Sequence, residues 1–421
     1  MSTFTELGVS APVVQALARR GIEAPFKIQN LVLGDGLAGR DILAKSRTGS
    51  GKTLGFGIPI VERLDASMKR PAALVMVPTR ELAVQVAVEL SDIALVRNLK
   101  VATVYGGVGL DAQAKRAARA HVIVATPGRL QDLLERRMIS LDHISILVLD
   151  EADRMLDMGF QPQVDKIVAR LKGRRQTMFF SATLDGRVGQ LARNYTHDPV
   201  RHEVVEDKPA IAAASHRFLP VSDEGKIDAL VRVLGEERDL ALVFVRTKHG
   251  ADRLCKKLRA RGIDSLAIHG NKSQNQRQRA LDRFTDGHVD VLVATDVAAR
   301  GLDVDDISHV INFDPPHDHT DYVHRVGRTA RAGRLGAGVT FVAPANRKDV
   351  GAIARALKLT SEFESDGLVM AAAHAPAAGR ARQAGNRSGN GDRSRSRTST
   401  GNGVATRDGA RRSGRRPRRR A

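Results

Sequence analysis

Short runs of Val, Ile and Leu, separated by helical stretches, constrain the fold of this 421-residue chain more than any other feature. They show little polar alternation, as do strands that are buried on both faces. The pattern therefore predicts an α/β fold in which helices cover both sides of a parallel sheet. In the first half the runs are Ala72–Val77, Val101–Tyr105, His121–Ala125, Ile144–Leu149 and Thr177–Phe180.

The second half of the chain repeats the pattern of the first. The matched pairs are Leu74–Thr79 with Leu242–Thr247, Val122–Thr126 with Val291–Thr295, and Ile144–Asp150 with Ser308–Asp314. The first two pairs are offset by 168 and 169 residues, and this steady offset favours two lobes of one fold over a chance likeness of buried strands. Only the first lobe carries a Gly-Lys-Thr turn, so we expect one lobe to hold a nucleotide and the other to act differently.

That turn is Gly49-Ser50-Gly51-Lys52-Thr53, a candidate phosphate-binding loop. Its glycines allow the backbone to approach phosphate closely, Lys52 would neutralise the β- and γ-phosphates, and the Thr53 hydroxyl would ligate Mg²⁺. Ser46 stands where the strict motif has Gly, a change that leaves both later glycines in place. The alternative is a plain glycine turn with an exposed lysine.

Three carboxylates in four residues, Asp150, Glu151 and Asp153, follow a buried run 98 residues after Lys52. A strand that ends in adjacent acids can place one on Mg²⁺ and the other on a water. We therefore expect Asp150 to partner the metal and Glu151 to act as the base that orients the attacking water. A helix-capping role explains one acid but not three. Together with the loop, these acids predict a nucleoside triphosphatase.

A basic cluster in the second lobe, residues 324–331, contains Arg328 and Arg331. In isolation such a cluster is usually a surface segment. In a triphosphatase whose first lobe has no arginine finger, these side chains would supply charge across a cleft, which would make hydrolysis depend on lobe closure.

The net charge of +20 favours a polyanionic partner, above all nucleic acid. Residues 377–421 alone contain fourteen Arg, no Lys and two Asp, a net of +12 that leaves +8 for residues 1–376. The Arg, Gly, Ser and Asn of this tail predict disorder and non-specific tethering of nucleic acid, although a tail that serves only solubility is an alternative.

Cysteine usage and the apolar runs bear on where the protein acts. The single cysteine, Cys255, excludes an internal disulfide and a cysteine-rich metal site, as is typical of a reducing cytoplasm. Residues 1–10 lack the basic start and apolar core of a signal peptide, and no apolar run is long enough to span a membrane. We therefore predict a cytoplasmic protein with no membrane partner.

The motifs together resemble those of the DEAD-box RNA helicases, and residues 269–274 resemble the bacterial RhlE-like branch. In order, the similar segments are residues 25–29 (the Q motif), 44–53, 78–83, 106–107, 126–129, 150–153, 181–183, 243–247, 274–277, 295–303 and 324–331. The resemblance implies two tandem RecA-like domains of the P-loop type, at 1–205 and 215–370. A linker at 206–214 joins them, and a disordered basic tail occupies 371–421.

The resemblance also assigns roles, with ATP and Mg²⁺ as cofactors. Gln29 should read adenine with Phe4 packed against the base, Asp303 should bind ribose, and Arg328 and Arg331 the phosphates. Asp153 should connect the nucleotide site to RNA through Ser181 and Thr183. RNA phosphates should meet Thr79, Arg80, Gly107, Thr126, Gly128, Arg129, Arg246 and Thr295. Phe26 stands where the family usually has Thr, which puts the local hydrogen bonding of the Q motif in question.

The implied function is ATP-dependent RNA unwinding or ribonucleoprotein remodelling, with ribonucleoprotein or ribosomal particles as candidate partners. Hydroxyls, glycine amides and Arg suit phosphate oxygens, and the chain has no Trp and three Tyr, which argues against base-stacking platforms. Two alternatives keep the same motifs: an ATP-gated RNA clamp or scaffold, and a DNA helicase. A nucleotide kinase is disfavoured because no acceptor-binding lid is evident.

Overall fold

The computed structural model describes residues 2–46, 50–204, 214–299, 304, 307–330 and 336–369. Within them the chain forms one sheet of seven strands and one of six, and every strand pair in both is parallel. Several predictions fall outside the described residues: Gly49, Asp303, Arg331, most of the linker, and the tail.

The first sheet and its helices form the first lobe. Its strands, in the spatial order β3-β4-β2-β5-β6-β1-β7, are β1 (Ile42–Lys45), β2 (Ala73–Met76), β3 (Val101–Val104), β4 (Val122–Ala125), β5 (Ile146–Leu149), β6 (Gln176–Ser181) and β7 (Val200–Glu203). Its helices are α1 (Ala11–Ala18), α2 (Lys27–Leu37), α3 (Lys52–Arg63), α4 (Arg80–Leu95), α5 (Leu110–Ala117), α6 (Pro127–Glu135), α7 (Ala152–Asp157), α8 (Gln161–Val168) and α9 (Gly186–Tyr195).

The second sheet and its helices form the second lobe. Its strands, in the order β10-β11-β9-β12-β13-β8, are β8 (Ala214–Pro220), β9 (Leu240–Phe244), β10 (Leu266–Ile268), β11 (Val291–Ala294), β12 (Ile307–Asn312) and β13 (Gly336–Val342). Its helices are α10 (Lys226–Leu234), α11 (Lys248–Arg259), α12 (Gln274–Thr285), α13 (Asp296–Ala299), α14 (His319–Val326), α15 (Arg347–Ala356) and α16 (Thr360–Ser365), with a 3₁₀ turn at Pro344–Asn346. Because β8 starts at Ala214, the last residue of the predicted linker belongs to this sheet.

The segments that match in sequence occupy matching places. Strands β4, β2 and β5 are neighbours in the first sheet, and their counterparts β11, β9 and β12 are neighbours in the same order in the second. Thr79 and Thr247, which stand at the same place in the matched runs, each cap the helix that follows by accepting a hydrogen bond from a backbone N–H. The two lobes therefore repeat one fold.

The all-apolar strands are explained by a core on each face of the sheet. In β5, Ile146 and Val148 enter one hydrophobic cluster, whereas Leu147 and Leu149 enter the other. Successive side chains of a strand point to opposite faces, so a strand covered on both sides has no polar position. No helix among the described residues is long and apolar enough to cross a membrane.

Candidate functional site

Five of the predicted site residues lie at one edge of the first sheet, where its parallel strands end. The order β4-β2-β5-β6-β1 sets the residues that follow those strands side by side. Ligands of open parallel sheets bind at this edge. In that spatial order the residues are Thr126, Thr79, Asp150, Ser181 and Lys52.

The phosphate-binding loop enters α3 through Gly51, whose φ of +83° lies in the left-handed region. A Cβ on Gly51 would lie 2.3 Å from Cδ2 of Phe26 and 2.5 Å from Nε2 of Gln29. Glycine is therefore required here by backbone angle and by space. Thr53 lies in the first turn of α3 and Ser50 just before it; the Ser50 hydroxyl donates to Oγ of Ser46 at 3.1 Å.

The amide of Gln29 connects the Q motif to this loop. Its Nε2 donates to the carbonyl oxygen of Gly51 at 2.8 Å, and its Oε1 accepts from the backbone N–H of Phe26 at 2.9 Å. A side-chain amide has two N–H donors and two acceptor lone pairs, so one of each is left. These match the N7 acceptor and the N6–H donor of adenine. The backbone N–H of Phe26 supplies this hydrogen bond whatever its side chain, so the absent threonine does not disrupt it.

Lys52 and Asp150 form a buried pair. Lys52 Nζ lies 3.9 Å from Oδ1 of Asp150 and 3.4 Å from the carbonyl oxygen of Ser46, and the Lys52 and Asp150 side chains are 7% and 3% exposed. Burial raises the pKa of Asp150, although the charge of Lys52 opposes this rise. A buried carboxylate with such partial compensation suits a divalent cation.

Glu151 lies among three cations. Its Oε2 accepts from Arg154 at 2.8 Å, and both side chains are 4% exposed. Burial opposes ionisation, but Arg154, Lys52 and Arg328 together hold the pKa of Glu151 well below its usual value. Glu151 is therefore ionised at neutral pH, as a residue that orients or deprotonates water must be. The pair with Arg154 was not predicted, although a spacing of three residues in a helical turn is a signal for it.

Asp153 is hydrogen-bonded to residues at the end of β6. Its backbone N–H donates to Oγ of Ser181 at 3.3 Å, and its Oδ2 accepts from the backbone N–H of Ala182 at 3.1 Å. The backbone N–H of Thr183 also donates to Oγ of Ser181, at 3.4 Å. The predicted connection among Asp153, Ser181 and Thr183 is thus present as direct contacts, and its role in coupling stays a prediction.

A buried ion pair joins the lobes. Arg277 of α12 lies 2.7 Å from Oε2 of Glu81 in α4, with side chains 7% and 3% exposed, and Nε2 of Gln274 donates to Oε1 of Glu81 at 3.2 Å. Burial lowers the pKa of Arg277, although Glu81 opposes this shift. The sequence placed these residues in motifs but gave no sign of the contact, because its partners are almost two hundred positions apart.

Beside this pair, a cleft of about 290 Å³ is lined by both lobes. From the second lobe come Gly270, Arg277 and Val297. From the first come residues that include five of the predicted RNA contacts, namely Thr79, Arg80, Thr126, Gly128 and Arg129. Because the Thr79 hydroxyl accepts from the N–H of Leu82, its own hydrogen can still be donated to a phosphate.

Arg80 and Arg129 also shape this cleft. A Cβ on Gly107, at φ +89°, would lie 2.4 Å from the Arg80 guanidinium, so glycine allows the two to approach. Arg129 donates to the carbonyl oxygen of Val108 and to Oε1 of Gln113, and thereby fixes the glycine-doublet loop. Two further predicted RNA contacts, Arg246 and Thr295, follow β9 and β11 at the same edge of the second sheet.

Arg328 of the predicted basic cluster is buried, at 3% exposed, and acts electrostatically on Glu151 of the other lobe. Its neighbour Arg325 was not singled out, yet it donates to both oxygens of Asp296 at 2.6 and 2.7 Å and to Asn312 at 3.0 Å. Arg325 therefore fixes the segment that carries Arg328. Phe4 is 2% exposed within the first-lobe core, a packing position, and its contact with a base stays a prediction.

Each of the two lobes matches a known protein family. Residues 26–191 match the DEAD/DEAH box helicases, and residues 225–333 match the helicase conserved C-terminal domain. The DEAD-box ATP-dependent RNA helicase CshA of Geobacillus kaustophilus is 42% identical over 346 residues, which are 82% of this chain and 74% of that protein. The ATP-dependent RNA helicase DeaD of Mycobacterium tuberculosis is 44% identical over 363 residues, 85% of this chain and 64% of that protein. These relatives do not test the RhlE-like branch, which stays a prediction.

Solved structures with the same fold hold nucleic acid and nucleotide analogues. Saccharomyces cerevisiae Dbp5 bound to RNA and ADP BeF3 has a TM-score of 0.76 at 29% identity, covering 88% of this chain and 94% of that one. Mss116p bound to single-stranded RNA and AMP-PNP has a TM-score of 0.75 at 26% identity, covering 88% of this chain and 78% of that one. They confirm the predicted fold of two RecA-like α/β domains.

Proposed function

We propose that this chain, which belongs to the DEAD-box family of ATP-dependent RNA helicases, closes its two RecA-like lobes on ATP and RNA together and so couples hydrolysis to local strand separation. Its membership makes it an RNA-stimulated ATPase. The roles of individual residues are our proposal, and one relation carries them. Arg328 of the second lobe is buried, and its charge lowers the pKa of Glu151 in the first lobe, where Lys52 lies 3.9 Å from the adjacent Asp150.

The first lobe holds the nucleotide in this proposal. Gln29 reads adenine with the donor and acceptor it has left, and the loop residues Ser50, Gly51 and Lys52 bind the phosphates. Thr53 and Asp150 would hold Mg²⁺, which when bound neutralises phosphate charge. The described residues contain no group of three or more His, Cys, Asp or Glu that could hold a metal. This suits Mg²⁺, which in such sites takes one or two protein ligands together with phosphate oxygens and water.

Hydrolysis requires both lobes. The ionised Glu151 orients the attacking water and accepts its proton, with Arg154 holding the carboxylate in place. Arg328 stabilises the charge that develops on the phosphate oxygens, a contribution of about 10³–10⁵ in rate for an arginine finger. Because Arg328 is on the second lobe, an open molecule lacks this charge and hydrolyses slowly. We assign Asp303 and Arg331, outside the described residues, to the ribose and phosphates by resemblance alone.

RNA is held by its backbone in the cleft between the lobes. Thr79, Thr126 and the glycines Gly107 and Gly128 offer hydroxyls and amides, and arginines provide charge, so recognition is independent of sequence. Contacts to the 2′-hydroxyl distinguish RNA from DNA. RNA that touches both walls favours the closed state. By linkage, RNA then tightens ATP binding by the same factor by which ATP tightens RNA binding.

The relatives bear on the alternatives. Because Dbp5 and Mss116p were solved with RNA and nucleotide analogues, a DNA helicase is not favoured. An ATP-gated clamp that only holds RNA would keep the same residues, but the relatives are named helicases. Ribonucleoprotein or ribosomal partners and a cytoplasmic location stay predictions.

ATP hydrolysis by the purified chain, measured with no nucleic acid, with single-stranded RNA and with DNA of the same sequence, tests the proposal. We expect RNA alone to stimulate turnover strongly. Equal stimulation by DNA would contradict the selectivity for RNA, and no stimulation by either would contradict coupling between the lobes. A short RNA duplex in the same reactions separates a helicase, which releases the strands and turns over, from a clamp, which retains them.

A further inference from the structure

A basic groove crosses the second lobe outside the nucleotide site and the cleft. Its volume is about 620 Å³, its walls are helices α11 and α12, and its floor is the strand β10 at Leu266 and Ala267. This strand is the edge of the second sheet, with β11 as its one partner within the described residues. The basic side chains that line the groove are Lys256, Arg259, Lys272, Arg279 and Arg283.

The charge of this groove is largely uncompensated. Asp252 is the acidic residue in its lining, and it is bound by Lys272 at 2.9 Å and by His269 at 3.1 Å. Asp264, 59% exposed at the rim, stands 4.0 Å from Arg259 and 3.9 Å from Arg283, too far for strong pairing. Lys256 and Arg279 are exposed and form no ion pair with another described residue. Five cations thus face two acids.

Helix α12 contributes residues to both the groove and the cleft. Gln274 and Arg277 lie on the face that meets Glu81 of the first lobe. Gln276, Arg279 and Arg283, spaced by three and four residues, lie on the face that lines the groove. The turn between β10 and α12 contains Gly270, which lines the cleft, and Lys272, which lines the groove.

We infer that the groove binds RNA that extends beyond the cleft, by sequence-independent contacts between its Lys and Arg side chains and phosphate. The inference rests on the proposed function, since it takes the cleft as the site of the central nucleotides. The charge complements a phosphate backbone, and the described residues of the lining include no aromatic side chain, which matches recognition without base stacking. The groove would increase affinity for long RNA and leave hydrolysis unchanged.

The test compares Lys256→Gln/Arg279→Gln/Arg283→Gln in the full chain with a matched control, Arg232→Gln/Lys348→Gln/Lys358→Gln, which removes three exposed charges elsewhere on the second lobe. Binding is measured by fluorescence anisotropy with a non-hydrolysable ATP analogue, on single-stranded RNA of about 6 and about 16 nucleotides, both within the range of single-strand site sizes. Thermal unfolding of both variants checks the fold.

We expect the groove variant to bind the longer RNA roughly tenfold more weakly, with a salt slope shallower by about 2 for three lost phosphate contacts. Binding of the short RNA and of the control should not change. Equal affinity of groove variant and control for the longer RNA would overturn the inference and leave an acidic peptide at the β10 edge as the rival occupant. An equal loss on short RNA would also overturn it, since the effect would then arise in the cleft. Failure of the proposed function itself would show separately, as absence of RNA stimulation in the unmodified chain.

Discussion

The guanidinium of Arg277 lies 2.7 Å from the carboxylate of Glu81, and the two residues belong to different lobes. Removal of one partner of such a buried pair leaves an uncompensated charge, at a cost of about 3–5 kcal/mol. The pair exists only when the lobes meet, so its effect falls on closure. It lies beside the cleft, and we expect it to couple RNA binding there to the approach of Arg328 toward Glu151.

We expect Glu81→Gln and Arg277→Gln each to lower RNA-stimulated turnover by about tenfold or more, because each destabilises the closed state. The double variant should lose less than the sum of the two, with a coupling of about 0.5–3 kcal/mol. The measurement is steady-state hydrolysis with saturating RNA in a double-mutant cycle. Additive losses would show that the two residues act independently, and an equal loss of nucleotide affinity without RNA would show that their effect does not depend on closure.

Glu151→Gln should retain ATP and RNA binding and slow hydrolysis by about 10²–10⁴, the usual contribution of a general base. Gln keeps the size of the side chain and can still accept a hydrogen bond from Arg154. Single-turnover hydrolysis and nucleotide affinity are measured beside Glu224→Gln, an exposed glutamate of the second lobe. Unchanged turnover would remove Glu151 from the role of base.

Arg328→Gln should lower RNA-stimulated hydrolysis by about 10³ or more, the range for a lost arginine finger, with ATP binding to the first lobe nearly unchanged. Arg328→Lys should recover only part of the loss, because lysine keeps the charge but not the planar fork. Comparing kcat with nucleotide affinity and thermal unfolding separates chemistry from folding. If nucleotide affinity and kcat fell together with the unfolding temperature, Arg328 would be structural.

Gln29→Glu should weaken ATP binding by roughly tenfold or more, because a carboxylate cannot donate to the carbonyl oxygen of Gly51 or to adenine N7, and an unmade hydrogen bond costs about 1–3 kcal/mol. Discrimination between ATP and GTP should fall with it. Titration with fluorescent ATP and GTP analogues measures both. Retained preference for adenine would assign the reading of the base to another residue.

Deletion of residues 377–421 should weaken RNA binding mainly at low salt, because the fourteen Arg there act through counterion release. Turnover at saturating RNA should stay close to that of the full chain. Binding isotherms at several salt concentrations, with hydrolysis at saturation, provide the check. A collapse of saturated turnover would place these residues in the catalytic core.

The sequence predicted strands β2 to β6, β9, β11 and β12 and the nucleotide-site edge because these follow from local pattern; the shorter or less apolar strands, such as β7, were not predicted. Runs such as Ile144–Leu149 are apolar throughout since both faces are buried, and residues that follow parallel strands must meet at one edge. The glycine-lysine turn and the adjacent acids needed only their order along the chain. The repeat of strands was visible because matched positions have the same structural role in each lobe; Thr79 and Thr247, for example, each cap the helix that follows.

Contacts between segments that are distant along the chain could not be predicted from the sequence. Glu81 and Arg277 are each ordinary charged helix residues, and nothing local shows that they are buried together. Phe26 in place of the usual Thr left the local hydrogen bonding of the Q motif open, and the structure shows that the backbone N–H of Phe26 donates to Gln29. Such relations depend on how packed elements approach one another, which a local pattern does not specify.

The central claim is that RNA and ATP each favour one closed arrangement of the lobes, and a thermodynamic cycle tests it most directly. RNA affinity is measured with and without a non-hydrolysable ATP analogue, and affinity for the analogue with and without RNA. We predict that each ligand increases the affinity for the other by the same factor, about 5- to 150-fold for a typical coupling. A factor of one would contradict the account, since the ligands would then bind independently whatever the contacts between the lobes.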